Sequence, residues 1–195
     1  MAAEIILGLT LIMSAIGFSR PAVIQYNLFR PYWFLPKRQY WTIITSGFIH
    51  ADVAHLLFNL LTFYFFAFPL QRVIGPVRFT ALYLIALVLS NTGTYLKRRR
   101  EPEYACLGAS GAVLAVMFAM IVYFPRSRIQ FLFLPIPIPA PLFAVLYLGY
   151  TIYSARQSRG RINHDAHLDG ALTGLAFVAL TDWPTWVGAW HAILG

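Results

Sequence analysis

His164-Asp165-Ala166-His167-Leu168-Asp169-Gly170-Ala171-Leu172-Thr173-Gly174 opens the last long apolar run of the chain. Gly170 and Gly174 form a small-xxx-small pair, which lets a second helix approach closely without side chains in the way. His167 precedes Gly170 by three residues and so lies on nearly the same helix face. The partner face is legible upstream, where Gly111, Ala115 and Ala119 repeat at the same spacing after Leu107-Gly108-Ala109-Ser110-Gly111. Pairing the two small faces predicts that Ser110 and His167 meet near the starts of their helices. A histidine within hydrogen-bond reach is the minimum for an activated serine nucleophile.

The rest of the chain says what solvent surrounds these helices. Of 195 residues, 59% are hydrophobic and 11% charged, and the mean hydropathy is +0.65. A soluble domain carries roughly a quarter of its residues as charges. The surplus apolar surface points to a bilayer. The net charge of +8 gathers in short clusters such as Lys97-Arg98-Arg99-Arg100, between apolar runs. That pattern suits loops at lipid headgroups and argues against a nucleic-acid partner. Cys106, the sole cysteine, rules out an internal disulfide and a multi-cysteine metal site.

Six apolar runs are expected to be membrane helices in a single domain, residues 1–195. They cover about 5–18, 53–70, 79–96, 108–124, 141–154 and 167–180. The first lacks a basic leader and a small-residue cleavage site, and reads as a retained helix. A long first loop, residues 19–49, carries Pro31-Tyr32-Trp33-Phe34-Leu35-Pro36, whose aromatics suit the interface. It is either a lateral shield for the site or an interfacial anchor. Gly75-Pro76 breaks the second run from the third. Prolines at 135, 137, 139 and 141 forbid a helix before the fifth run. Several runs are nearer 15 than the roughly 20 residues that a hydrocarbon core asks for, so either the helices extend beyond these bounds or the protein thins its bilayer locally.

A third polar cluster sits at Gly47-Phe48-Ile49-His50-Ala51-Asp52-Val53-Ala54-His55-Leu56-Leu57-Phe58-Asn59. His55 and Asn59 share one helix face, and both are able to point donors at a developing oxyanion. They serve equally well as polar glue between helices. His50 and His55 lie about 140° apart on a helix with no glutamate between them, so this is not a zinc-protease motif. His164 reads as a loop histidine. Asp165 and Asp169 are candidates to orient His167, although Asp169 points about 200° away by the helical period. If all six runs span, helices two, four and six start on one side of the membrane. His55 with Asn59, Ser110 and His167 then fall at one depth.

On these residues the chain resembles the rhomboid family of intramembrane serine proteases, in the six-helix form of its bacterial members. The match is carried by His-x4-His-x3-Asn at His50, His55 and Asn59, Gly-Ala-Ser-Gly at 108–111, and Ala-His-x2-Gly-x3-Gly at 166–174. The resemblance implies a Ser–His dyad without an acid, with Ser110 as nucleophile and His167 as base. It implies an oxyanion hole from the Ser110 N–H, His55 and Asn59, with His50 in support, and neither cofactor nor metal. Substrates would be membrane proteins whose transmembrane helix unwinds into the site. The expected location is a bacterial or archaeal inner membrane, as a multi-pass protein.

The chain departs from the family pattern in three places. A tyrosine that stacks on the histidine from one turn after the serine is here Leu114. The Trp-Arg pair of the first loop reads Trp41-Thr42, and an acidic residue after the second helix is Gln71. Orientation draws two opposed arguments. Arg20, Arg30, Lys37, Arg38, Lys97 to Arg100, Arg156, Arg159 and Arg161 fall on the site's side, which the positive-inside rule puts in the cytoplasm. The resemblance implies a site opening outward, and it is the stronger guide. Two other functions compete with the protease. One is an inactive rhomboid-like protein that binds membrane clients; intact Ser110 and His167 argue against it. The other is a proton-relay transporter, which expects acids in mid-helix, whereas Glu4 is the sole acid at the first five runs.

Overall fold

The computed structural model describes residues 1–131, 134–157 and 163–195. The basic residues Arg159 and Arg161 lie outside them. The order is α1 (Ala2–Ser19), α2 (Pro21–Asn27), α3 (Pro31–Phe34), α4 (Thr42–Thr45), a 3-10 turn (Ser46–Phe48), α5 (Val53–Arg98) and α6 (Ser110–Tyr123). Then come β1 (Arg128–Phe131), β2 (Leu134–Pro139), α7 (Ala140–Gln157), α8 (His164–Thr181) and α9 (Trp183–Leu194).

The 46-residue α5 is two helices in one run. Gly75, with φ +78° and ψ 161°, breaks it into residues 53–74 and 76–98. Glycine adopts this backbone without a Cβ penalty. Among the described residues, Ala2–Ser19 and Val53–Arg98 are long and apolar enough to cross a bilayer; Ser110–Tyr123 is apolar but shorter. The first run is thus longer than expected. At 1.5 Å per residue its 18 residues rise about 27 Å.

The first loop folds into α2, α3 and α4, and its Phe29 exchanges both backbone hydrogen bonds with Cys106 at 3.0 Å. Two expectations need correction. The proline-rich stretch is not merely non-helical. It forms β2, antiparallel to β1, with Ile129 opposite Ile138 and Arg128 opposite Pro139. The all-helical expectation therefore holds for the bundle but not for this hairpin. Finally, α8 begins at His164, three residues earlier than predicted, so His164 belongs to the helix. The cause is Asn163, whose side chain caps the helix by accepting the Ala166 N–H at 3.1 Å.

At the centre of the bundle lies α6, buried along nearly its whole length from Gly111 to Val122. It packs against α5 and α8. A Cβ on Gly170 would run into the Gly111 carbonyl, and one on Gly174 into the Ala115 carbonyl. The predicted pairing of small faces is present, and backbone meets backbone along it. Outside the bundle, α1 closes over α5, where Gln71 accepts the Ala3 N–H at 2.7 Å.

Candidate active site

Ser110 is the first residue of α6, and His167 lies in the first turn of α8. The glycine seam between the two helices sets their separation. Ser110 Oγ and His167 Nε2 are 2.8 Å apart, a hydrogen bond. Both residues are half-buried rather than enclosed, so the pair is reachable from one end of the bundle. The N-terminal turn of α6 also presents backbone N–H groups that have no partner within the helix.

Neither aspartate orients His167. Asp165 Oδ1 takes the Lys97 ammonium at 2.9 Å. Asp169 packs its carboxylate against Gly93, and its Oδ2 is buried without a hydrogen-bond partner among the described residues. The residue that does reach the second nitrogen is Tyr147 on α7, whose hydroxyl lies 3.1 Å from His167 Nδ1. Sequence reasoning missed it. The available signal was the spacing Phe143, Tyr147, Thr151, which puts two hydroxyls and two rings on one face of an apolar helix. His164 sets its ring edge-on to His167, centroids 6.1 Å apart, and to Tyr150 at 5.6 Å.

The His50–Asn59 cluster meets the serine loop from the other side. His55 lies against Gly108: a Cβ there would sit 2.6 Å from its Cε1. Gly108 has φ +111° and donates its N–H to the Ser46 carbonyl at 2.9 Å. Asn59 is buried and gives one amide hydrogen to the His55 carbonyl at 2.9 Å; its second has no partner among the described residues. With Ala109 and Val113 it lines a crevice of about 10 Å³.

His50, fully buried, stands one layer back. Its Nε2 accepts the Ala109 N–H at 3.4 Å, so its Nδ1 carries the proton and donates to Ser14 Oγ at 2.9 Å. Ser14 in turn donates to the Phe48 carbonyl at 3.1 Å. This relay ties α1 and the first loop to the residue before the nucleophile. His50 therefore supports the site without facing Ser110.

No group of His, Cys, Asp and Glu able to hold a metal occurs among the described residues. A larger cavity, about 640 Å³, lies at the far end of α6 against Tyr123, Arg126 and His191, away from Ser110.

Similarity to known proteins gives the chain its family. Residues 37–183 match the family model described as the rhomboid domain. The mitochondrial RHOMBOID-like protein 12 of Arabidopsis thaliana is 34% identical over 146 residues, 67% of this chain and 43% of that protein. The mitochondrial presenilin-associated rhomboid-like protein of Homo sapiens is 29% identical over 168 residues, 77% of this chain and 42% of its own length. A Bacillus subtilis protein named "Putative rhomboid protease YdcA" is 34% identical over 113 residues, 56% and 53% of the two chains. The chain thus spans about half the length, or less, of these relatives. Mitochondrial proteins stand beside a bacterial one in this set, which gives the expected bacterial or archaeal membrane no support. A match over three quarters of the chain, with the dyad and the glycine seam inside it, makes this an integral membrane protein of the rhomboid family.

Proposed function

We propose that the chain is an intramembrane serine endopeptidase that cleaves transmembrane segments of membrane proteins, its core crossing the bilayer six times. The observation that carries this reading is the 2.8 Å contact between Ser110 Oγ and His167 Nε2 at the adjoining starts of α6 and α8. The chemistry follows from that contact. Ser110 Oγ attacks the scissile carbonyl carbon as its proton passes to His167 Nε2. The carbonyl π pair moves to oxygen, and the oxyanion takes hydrogen bonds from the Ser110 N–H, His55 and the spare Asn59 N–H. Collapse expels the amine, which leaves with the proton from His167. Water then repeats the sequence on the acyl-enzyme and frees Ser110.

His167 alone carries the proton in these steps, and no carboxylate is needed. The half-buried position of Ser110 suits a substrate whose helix has unwound at its end, because an intact helix hides its carbonyls in its own hydrogen bonds.

The test is cleavage of membrane substrates by the protein in bilayers, paired with fluorophosphonate labelling of Ser110. Ser110→Ala and His167→Ala should each abolish detectable turnover, a loss of up to about six orders of magnitude. Cleavage that survives Ser110→Ala would overturn the proposal. A wild-type protein that binds membrane clients yet resists the probe and cleaves nothing would favour an inactive client-binding protein.

A further inference from the structure

His167 has two ring nitrogens, and only one serves Ser110. A lone imidazole splits its proton between them, and a base with the proton on Nε2 cannot accept another there. Something must hold the proton on Nδ1. Neither nearby aspartate does so: Asp165 pairs with Lys97, and Asp169 packs against Gly93 with its Oδ2 unpartnered among the described residues. Leu114, one turn along α6 from Ser110, offers no polar atom.

We propose that Tyr147 is the positioning residue of the dyad, its phenolic oxygen accepting the Nδ1–H of His167 and leaving Nε2 free for the serine proton. This rests on the protease reading above. The hydroxyl lies 3.1 Å from Nδ1. The ring beneath it is fixed on two helices, stacked on Phe143 at 5.6 Å and 29° and tilted against Phe118 at 5.9 Å. Phe118 is fully buried on α6, the helix that Ser110 begins. Tyr147 is thereby registered to the nucleophile's own helix.

The chemistry favours a phenol at this place. An aspartate here would add a charge to a low-dielectric site, where a buried ion is costly. A phenol oxygen accepts from Nδ1–H in both states of the ring, neutral before the serine proton arrives and cationic after it. No proton moves to Tyr147. It fixes ring rotation and tautomer, and it meets the imidazolium with an oxygen lone pair.

Tyr147→Phe keeps the ring contacts and removes only the oxygen. Two readouts separate positioning from packing. The first is 15N NMR of histidine-labelled protein in bilayers, with His167 assigned by its loss in His167→Ala. The wild type should show His167 with its proton on Nδ1, and Tyr147→Phe should shift the balance toward Nε2. The second is kinetics: kcat should fall about tenfold, the worth of one such hydrogen bond, with KM within about twofold. An unchanged tautomer balance or an unchanged kcat would overturn the assignment. If the wild type cleaves nothing, the protease reading fails, while the 15N comparison still decides Tyr147.

Discussion

Gly108 holds the halves of the site together. Its φ of +111° turns the chain into α6, its N–H bonds the first loop at Ser46, and its missing Cβ makes room for the His55 ring. Gly108→Ala should cost about 1–3 kcal/mol from the backbone alone and push His55 out of line with Ser110. Thermal unfolding in detergent measures the first effect, and fluorophosphonate labelling rate the second. The sequence showed Gly108 only as a small neighbour of a serine. Its left-handed backbone and its contact with a residue far upstream exist only once the loops have met. Ser110, His167, His55 and Asn59 were legible because a polar group in an apolar run is costly and so stands out. Tyr147 was not, because a tyrosine in an aromatic-rich membrane protein is unremarkable until its hydroxyl finds a partner.

Between elements, the seam of α6 and α8 was the most readable feature of the fold. Small residues four apart state that a backbone will come close, and here Gly170 and Gly174 meet the Gly111 and Ala115 carbonyls. Gly170→Ala should destabilise the protein by about 1–3 kcal/mol through overpacking and pull His167 from Ser110. Gly149→Ala is the control. Open space surrounds Gly149 on α7, so the change should be neutral or slightly stabilising in the same melting experiment. The β1–β2 hairpin was unreadable for a stated reason. Proline lacks the ladder donor and argues against a strand. Prolines two apart, however, all turn their missing N–H to one edge, and a two-stranded sheet has an edge to spare.

For the molecule as a whole, the bilayer explains the surface. Large apolar side chains such as Phe58, Phe65, Val77, Val145 and Leu180 are more than half exposed. Water would not tolerate that, and lipid does. If α5 crosses twice about Gly75, the turn near Arg78 and the loop near Arg100 face opposite sides. In a Cys106→Ala background, cysteines at these two positions should react with a membrane-impermeant maleimide from opposite sides. Reaction of both from one side would refute the double crossing. The same measurement decides which side the dyad faces, where the charge pattern and the family resemblance oppose one another.

The sequence by itself determined the solvent, the apolar runs, the family, the glycine seam and the meeting of Ser110 with His167. Each of these is local, a matter of composition, spacing or a polar atom out of place. Only the tertiary structure decided what the second nitrogen of His167 touches, that His50 stands behind the nucleophile, and that neither aspartate orients His167. Those depend on groups brought from residues 14, 50, 109, 147 and 167 to within about 3.5 Å of their partners. Distance along the chain carries no record of such meetings, because packing creates them.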